Sequence, residues 1–207
     1  FFDPAKSKAA IVTCGGLCPG INDVIRAIVM ELYYRYGVVN IRGIKYGFKG
    51  IMPRYRYDIK ELTPELVKDI HTLGGSILGS SRGREDIVEM VDVLKRMNVD
   101  MFFCIGGDGT MRAAELLAAE ATRRNLNMAV VGIPKTIDHD LNIIQRTFGF
   151  DTAISESMKV LQCAHTEATG APNGIGLVKI MGRQSGHIAA CAALAQSDVN
   201  LVLIPEV

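Results

Sequence analysis

The most constraining feature of this chain is the sequence Gly-Gly-Asp-Gly-Thr at residues 106–110, directly after the apolar run 99–105. An apolar run that ends in glycines and is followed by an amphipathic stretch predicts a strand, a tight turn and a helix. The three glycines permit positive φ angles and close approach of a ligand, and amides at a helix start favour an anion. The pentapeptide therefore predicts a phosphate site with Asp108 holding Mg²⁺ beside it. A plain strand–turn–helix corner, with the aspartate as N-cap, is the alternative reading of this motif alone.

Strand-like and helix-like stretches alternate along the whole chain. The runs that predict strands are 9–13, 38–44, 99–105, 128–133, 174–180 and 200–204. The stretches that predict helices begin near residues 21, 64, 86, 111, 149 and 184. This alternation predicts an α/β fold with a doubly wound, largely parallel sheet. Ligands of such sheets bind at the carboxyl ends of the strands. The loops 14–20, 106–110, 134–140 and 181–186 all follow predicted strands, so we expect them to share one site.

Composition narrows the function classes. With 23 basic and 22 acidic residues and no basic block, the chain is not expected to bind nucleic acid or a membrane surface. No apolar run approaches a membrane span, and the N-terminus lacks the layout of a signal peptide. The cysteines complete no zinc site and are expected to be reduced thiols of a cytoplasmic protein. They are Cys14, Cys18, Cys104, Cys163 and Cys191.

The second chemical motif is Pro-Lys-Thr-Ile-Asp-His-Asp at 134–140, again directly after an apolar run. In an extended segment, side chains two residues apart face the same way, so Asp138 and Asp140 could address one pocket. One carboxylate could hold a metal or its water while the other accepts a proton from a substrate hydroxyl. Asp138 is the candidate base because it lies nearer Lys135 and Thr136. The alternative is an Asx-rich turn that caps the next helix.

Six motifs in order make the chain resemble the phosphofructokinase family, most of all the subgroup of pyrophosphate-dependent enzymes and their ATP-using relatives. The motifs are CGGLCPGIN (14–22), GGSILGSSRG (74–83), GGDGT, PKTIDHD, TFGFDTA (147–153) and MGRQSGHIA (181–189). The resemblance implies a phosphofructokinase-like fold of two α/β domains. Residues 1–150 would form the phosphoryl-donor and Mg²⁺ domain. Residues 151–207 would begin a sugar-phosphate domain that is incomplete in this chain.

The resemblance also implies roles on the donor side. The residues at the ATP or phosphate site would be Gly15, Gly16, Arg82, Gly107, Gly109 and Thr110. Backbone amides at Gly15 and Gly16 would meet the donor, and Arg82 would bridge its phosphates as a bidentate cation. Asp108 would hold Mg²⁺. Read alone, Arg82 and Arg183 would be ordinary solvated surface arginines.

On the acceptor side, the implied substrate-binding residues are Thr136, Asp138, Asp140, Met181, Gly182 and Arg183. Asp138 would act as base towards the primary hydroxyl of the sugar, and Asp140 would help to orient it. Arg183 would offset charge on the transferred group, and Lys135 joins Asp138 and Arg183 as a catalytic residue. Positioning and charge neutralisation of this kind carry most of the catalysis in phosphoryl transfer.

The implied reaction is transfer of the ATP γ-phosphoryl group to the 1-hydroxyl of fructose 6-phosphate, with Mg²⁺, giving fructose 1,6-bisphosphate in glycolysis. The choice of phosphoryl donor depends on residue 109, which is glycine in this chain. Pyrophosphate-dependent relatives have an aspartate at this position, and that aspartate excludes the α-phosphate and adenosine of ATP. Lys135 instead resembles the pyrophosphate enzymes. Because the exclusion at residue 109 is steric, ATP is preferred, and pyrophosphate stays the alternative.

Two further functions stay open. An NAD- or lipid-kinase-like protein would also carry GGDGT, although PKTIDHD and MGRQSG argue against it. A regulatory, nucleotide-binding subunit without catalysis is the other. His139 stands where the family usually has asparagine between the two aspartates. The chain is expected to be the front of a longer, homo-oligomeric protein and to be inactive by itself.

Overall fold

The computed structural model describes residues 2–142 and 144–207. They fall into two compact units, Phe1–Lys135 and Thr136–Val207. Division by function into a donor domain ending at residue 150 and a sugar-phosphate domain after it stays a prediction.

The first unit is built on a five-stranded sheet. Its strands are β1 (Lys8–Thr13), β2 (Asn40–Ile44), β3 (Ile59–Glu61), β4 (Met101–Gly106) and β5 (Ala129–Pro134). Their spatial order is β3-β2-β1-β4-β5, and only β3 runs antiparallel to its neighbour. The predicted α/β class with a largely parallel sheet is confirmed. Strand β3 was missed because three partly exposed residues at a sheet edge carry no apolar run.

Four helices pack in this unit: α1 (Ile21–Met30), α2 (Pro64–Val67), α3 (Ile87–Arg96) and α4 (Asp108–Arg123). A π-helical turn follows the last residue of α1, and short 3₁₀ turns follow β2 and α2. Two helix starts have side-chain caps that the sequence signals. Thr63 accepts from the Leu66 amide at 3.2 Å, and Asp86 accepts from the Glu89 amide at 2.7 Å.

The core of the first unit lies around the central strand β1. Ile11 and Val12 in β1, and Phe102 in the adjacent β4, are all completely buried. A parallel strand that is covered on both faces has an unbroken run of apolar residues, so β1 and β4 could be predicted from the sequence. Leu94 of α3 and Leu117 of α4 are buried with Phe102 in one apolar cluster.

The second unit contains two helices, α5 (Phe150–Thr169) and α6 (His187–Ala195). Among its described residues there is no strand, so the strands predicted at 174–180 and 200–204 are wrong for this structure. A strand exists only through hydrogen bonds to a partner, and an apolar run does not specify one. Ile175 and Leu177 are each about nine-tenths exposed. Within residues 2–142 and 144–207, no helix has both the length and the apolar character needed to cross a membrane.

Candidate functional site

Three loops begin at the carboxyl ends of neighbouring strands of the first unit. Thr13 at the end of β1 is in register with Ile105 of β4, and the Cys14 amide donates to the Ile105 carbonyl at 2.8 Å. Pro134 at the end of β5 is in register with Gly106. The chain moves outward from β1 through β2 to β3 and then returns to place β4 on the other side of β1. The carboxyl ends of β1 and β4 are therefore the topological switch point, where ligands of such sheets bind.

The glycine loop after β1 is tied to the segment that carries Arg82. The Gly15 amide donates to the Ser81 carbonyl at 3.0 Å, and the Ser80 hydroxyl donates to the Gly15 carbonyl at 2.6 Å. A Cβ atom on Gly16 would lie 3.4 Å from Nη2 of Arg82. These contacts hold an arginine beside the backbone that was predicted to meet phosphate.

A second cation lies on the same glycine loop. Gly15 has φ +83°, which favours glycine, and a Cβ atom there would lie 3.8 Å from Nζ of Lys135. Lys135 is only 7% exposed, whereas Arg82 is exposed. Neither side chain forms a salt bridge with any carboxylate of the described residues. A buried ammonium without a carboxylate partner favours a bound anion.

Helix α4 begins at Asp108, three residues before the predicted start at residue 111. Gly107 is the N-cap and provides no side-chain hydrogen bond, so the reading of Asp108 as an N-cap is wrong. Asp108 and Gly109 are both exposed in the first turn. Exposed amides at the start of a long helix are suited to an anion.

The glycines of the GGDGT motif are not needed for positive φ angles. None of them has one, and Gly107 has φ −81°. Gly106 is required for space, since the Thr110 side chain occupies the position that a Cβ atom would take. The prediction about backbone conformation was therefore wrong, and close packing of the turn on the helix explains this glycine.

Thr110 and Cys14 lie beneath the loops. Thr110 and Cys14 are both buried. Burial raises the pKa of Cys14 to about 12, against smaller lowering effects from a Phe48 backbone hydrogen bond, Thr110 and the charge of Lys135. The thiol stays protonated at neutral pH and is not a nucleophile. Thr110, predicted to meet phosphate, is only 6% exposed.

In the second unit, the segment from Thr136 to Asp140 forms a turn rather than an extended strand. The Thr136 hydroxyl donates to Oδ1 of Asp140 at 3.2 Å and accepts from the Asp138 amide at 3.0 Å. His139 has φ +56°, which breaks the alternation of side chains. Asp138 is 9% exposed and Asp140 is exposed. The expectation of an extended segment is wrong, because the backbone bends between the two aspartates.

The MGRQSG segment of the second unit forms a tight turn. The Ser185 amide donates to the Gly182 carbonyl at 2.9 Å, and Arg183 within the turn has φ +57°. Arg183 is exposed and has no salt bridge to a described carboxylate, and Met181 is 72% exposed. The Ser185 hydroxyl donates to the backbone carbonyl of Asp138 at 2.7 Å. This contact brings the turn with Arg183 to the loop with Asp138.

Three residues around this loop were given no individual role from the sequence: Phe150, Ser185 and His187. The ring of His139 stacks on Phe150 with centroids 4.6 Å apart and meets the edge of His187 at 5.5 Å. Nδ1 of His139 is buried and has no hydrogen-bond partner among the described residues. A serine before a helix signals a cap, but no local pattern could link Ser185 to a loop 47 residues earlier.

Magnesium would depend on very few protein ligands. In the part of the chain that the structure describes, no cluster of three or more His, Cys, Asp or Glu side chains could hold a metal ion. Mg²⁺ commonly takes one or two carboxylates and completes its shell with waters and substrate phosphates. A single exposed Asp108 in the first turn of α4 fits that chemistry.

Known proteins match this chain over nearly its whole length. A sequence model of the phosphofructokinase family matches residues 8–207. The ATP-dependent 6-phosphofructokinase of Borreliella burgdorferi is 55% identical over 206 residues, which is 100% of this chain and 46% of that protein. That of Amycolatopsis methanolica is 53% identical over 207 residues, which is 100% of this chain and 45% of that protein.

Solved structures agree on the fold. The phosphofructokinase of Pichia pastoris in the T-state matches with a TM-score of 0.80 at 21% identity, covering 100% of this chain and 22% of that one. The present chain spans a little less than half the length of the two relatives named above. With the family model matched over residues 8–207, the chain belongs to the phosphofructokinase family.

Proposed function

We propose that the protein carrying this chain transfers the γ-phosphoryl group of ATP to the 1-hydroxyl of fructose 6-phosphate, giving fructose 1,6-bisphosphate. The observation that carries this proposal is the 55% identity, over the whole chain, with an ATP-dependent 6-phosphofructokinase. The matched region includes both the GGDGT and the PKTIDHD segments. A cytoplasmic location, a role in glycolysis and a homo-oligomeric whole protein are parts of the same proposal.

The donor phosphates would lie against the loops at the carboxyl ends of β1 and β4. Backbone amides at Gly16 and Gly107 would approach the phosphate oxygens, with Arg82 and Lys135 neutralising their charge. The Gly15 amide, predicted to do the same, instead donates to the Ser81 carbonyl at 3.0 Å. The buried position of Lys135, 7% exposed and without a described carboxylate partner, supports this role. Asp108 would hold Mg²⁺, whose contribution when bound is to neutralise charge on the transferring phosphates.

The sugar phosphate would meet the loops of the second unit. Asp138 would accept the proton of the primary hydroxyl, and a largely buried carboxylate is suited to that work. Thr136 and Asp140 would orient the hydroxyl. Arg183 would stabilise negative charge on the transferred group, with Met181 and Gly182 lining the sugar.

Gly109 favours ATP over pyrophosphate as donor. The residue is exposed in the first turn of α4, and no atom lies within 4 Å of the position that a Cβ atom would take. That open space suits the α-phosphate and adenosine. Pyrophosphate is the second candidate donor because a lysine at position 135 can serve either.

A coupled assay on the protein that carries this chain tests the proposal. Purified enzyme with fructose 6-phosphate and Mg²⁺ should turn over with ATP and not with pyrophosphate. Gly109→Asp should lower kcat/KM for ATP, because a carboxylate would enter the donor space. Gly109→Ala is the matched control, since a methyl group meets no neighbour there. Turnover with pyrophosphate alone would reject ATP as donor, and equal kinetics of the three proteins would show that residue 109 does not face it.

A further inference from the structure

Ser185 lies at a junction of three hydrogen bonds in the second unit. It is 8% exposed and precedes α6. Its Oγ is 2.7 Å from the backbone oxygen of Asp138 and 2.9 Å from Nδ1 of His187. The backbone nitrogen of His187 is 3.5 Å from the same oxygen. None of these contacts follows from the roles given above to Asp138 and Arg183.

The direction of these hydrogen bonds can be worked out from the groups involved. A hydroxyl has one proton and two lone pairs, and a carbonyl oxygen can only accept. The Ser185 proton is therefore donated to the Asp138 carbonyl. Both lone pairs of Oγ then face donors on His187, so Nδ1 of that imidazole carries a proton. His187 thus orients the Ser185 hydroxyl towards Asp138.

These contacts fix the backbone on both sides of the Asp138 Cα atom. The Asp138 amide donates to Thr136 Oγ1 at 3.0 Å, and the Asp138 carbonyl accepts from Ser185 at 2.7 Å. The amide belongs to the peptide plane before Cα and the carbonyl to the plane after it, so φ and ψ are both restrained. The next residue, His139, has the unfavourable φ of +56°, which surrounding contacts must maintain.

We propose that Ser185 is a positioning residue that aims the carboxylate of Asp138, and that His187 supports it through its Nδ1 proton. The proposal rests on the role of Asp138 as base in the proposed function. Ser185 also closes the turn that carries Arg183, through its amide bond to the Gly182 carbonyl at 2.9 Å. One residue thereby holds the backbone of the proposed base through its side chain and closes the turn of the proposed arginine through its backbone amide.

The first test is Ser185→Ala in the protein that carries this chain. Loss of the hydroxyl frees the Asp138 carbonyl, and misplacement of a base is expected to lower kcat by about 10–100-fold. The KM for ATP should not change, because the donor loops keep their own hydrogen bonds. Ser157→Ala is the matched control, since the Ser157 hydroxyl donates to the Ile154 carbonyl at 2.6 Å within α5. A Ser185→Ala enzyme with the kcat of Ser157→Ala overturns the proposal.

A pair of His187 variants keeps the test decisive if Ser185→Ala fails to fold. His187 is exposed, so its replacement leaves the interior unchanged. His187→Leu removes the donor to Ser185 and should lower kcat by about two- to tenfold, the value of one hydrogen bond. His187→Asn puts an amide N–H near the Nδ1 position and should restore the kcat. Equal kcat values for the leucine and asparagine variants contradict the role of His187.

Amide hydrogen exchange separates this proposal from the proposed function, because it needs no turnover. Exchange at residues 136–140 should be faster in Ser185→Ala than in wild type or Ser157→Ala. If the wild-type protein does not phosphorylate fructose 6-phosphate, the proposed function fails while faster exchange still supports the anchoring of the loop. If the wild type is active and exchange is unchanged in Ser185→Ala, the anchoring itself is wrong.

Discussion

The two units of this chain hold their candidate functional residues by different means. In Phe1–Lys135, the site consists of backbone loops that start at the ends of paired strands, where ladder hydrogen bonds fix their origin. In Thr136–Val207, the loop with Asp138 is held by the side chains of Thr136 and Ser185. One side-chain substitution can therefore disturb the second arrangement far more easily than the first.

The units differ in burial as well. Phe102 in the first unit is completely buried within a core formed by strands and helices. In the second unit, large apolar side chains stay exposed outside its two helices: Leu177 is 90% exposed and Leu203 is 80% exposed. We therefore expect stability to be determined mainly in the first unit and the sensitivity of catalysis mainly in the second.

The largest expected effect is on catalysis through the second unit. In the protein that carries this chain, Asp138→Ala should lower kcat by about 10²–10⁴-fold if Asp138 is the proposed base, because general-base catalysis contributes about that much. Steady-state kinetics with fructose 6-phosphate measure it, and Asp198→Ala, an exposed aspartate of the same unit, serves as control. An Asp138→Ala enzyme that keeps half of its kcat would remove this residue as the base.

A core substitution tests the difference in stability. Phe102→Ala should lower the free energy of unfolding by about 3–5 kcal/mol, because it removes a buried ring and leaves a cavity. Leu177→Ala should leave it nearly unchanged, since the leucine side chain is 90% exposed. Urea unfolding of the two variants measures the contrast. A similar loss in both would mean that Leu177 is packed in solution and that the units do not differ in this way.

The cysteines report the same contrast without substitutions. Cys14, Cys18 and Cys104 in the first unit are buried, whereas Cys163 in the second is exposed and Cys191 is partly so. Burial raises the pKa of Cys14 to about 12, so little thiolate forms there at neutral pH. Iodoacetamide followed by peptide mass spectrometry should label Cys163 fastest in the native protein. The three buried thiols should react only after denaturation, and rapid native labelling of Cys14 would contradict the structure.

The smallest effect concerns ion pairs on two helices. Hydrogen bonds from Arg123 and Arg124 lower the pKa of Glu120 in α4 from 4.5 to about 2. A lowered folded-state pKa gives stability that is present above the ordinary pKa and lost as the pH falls towards 2. Glu120→Gln should therefore lower Tm at pH 7, and the difference from wild type should shrink below pH 4.5.

The matched variant in the second unit is Glu156→Gln, which breaks the single exposed pair with Lys159 in α5. Exposed pairs of this kind contribute little to stability, so its change in Tm should be smaller than that of Glu120→Gln. A larger effect from Glu156→Gln would reverse the expected order of the two helices.

Features that depend on local sequence were predicted correctly. The apolar runs of β1 and β4 predicted parallel strands. The glycines at residues 106–110 predicted the turn and the helix that follows it. The glycine prediction succeeded for the wrong reason at Gly106, where space rather than backbone angle is decisive. The apolar runs at 174–180 and 200–204 failed as strands because pairing depends on a partner that a run does not name.

The fold class, the family and the candidate charged residues could be inferred from the sequence, because periodicity and ordered motifs are local properties of a chain. Tertiary structure alone decided which groups meet: Lys135 beside Gly15, Thr110 against Cys14, and Ser185 on the Asp138 carbonyl. Each of these contacts joins residues far apart in sequence. Their hydrogen bonds and burial depend on how sheet, turns and helices pack, and no local pattern encodes that packing.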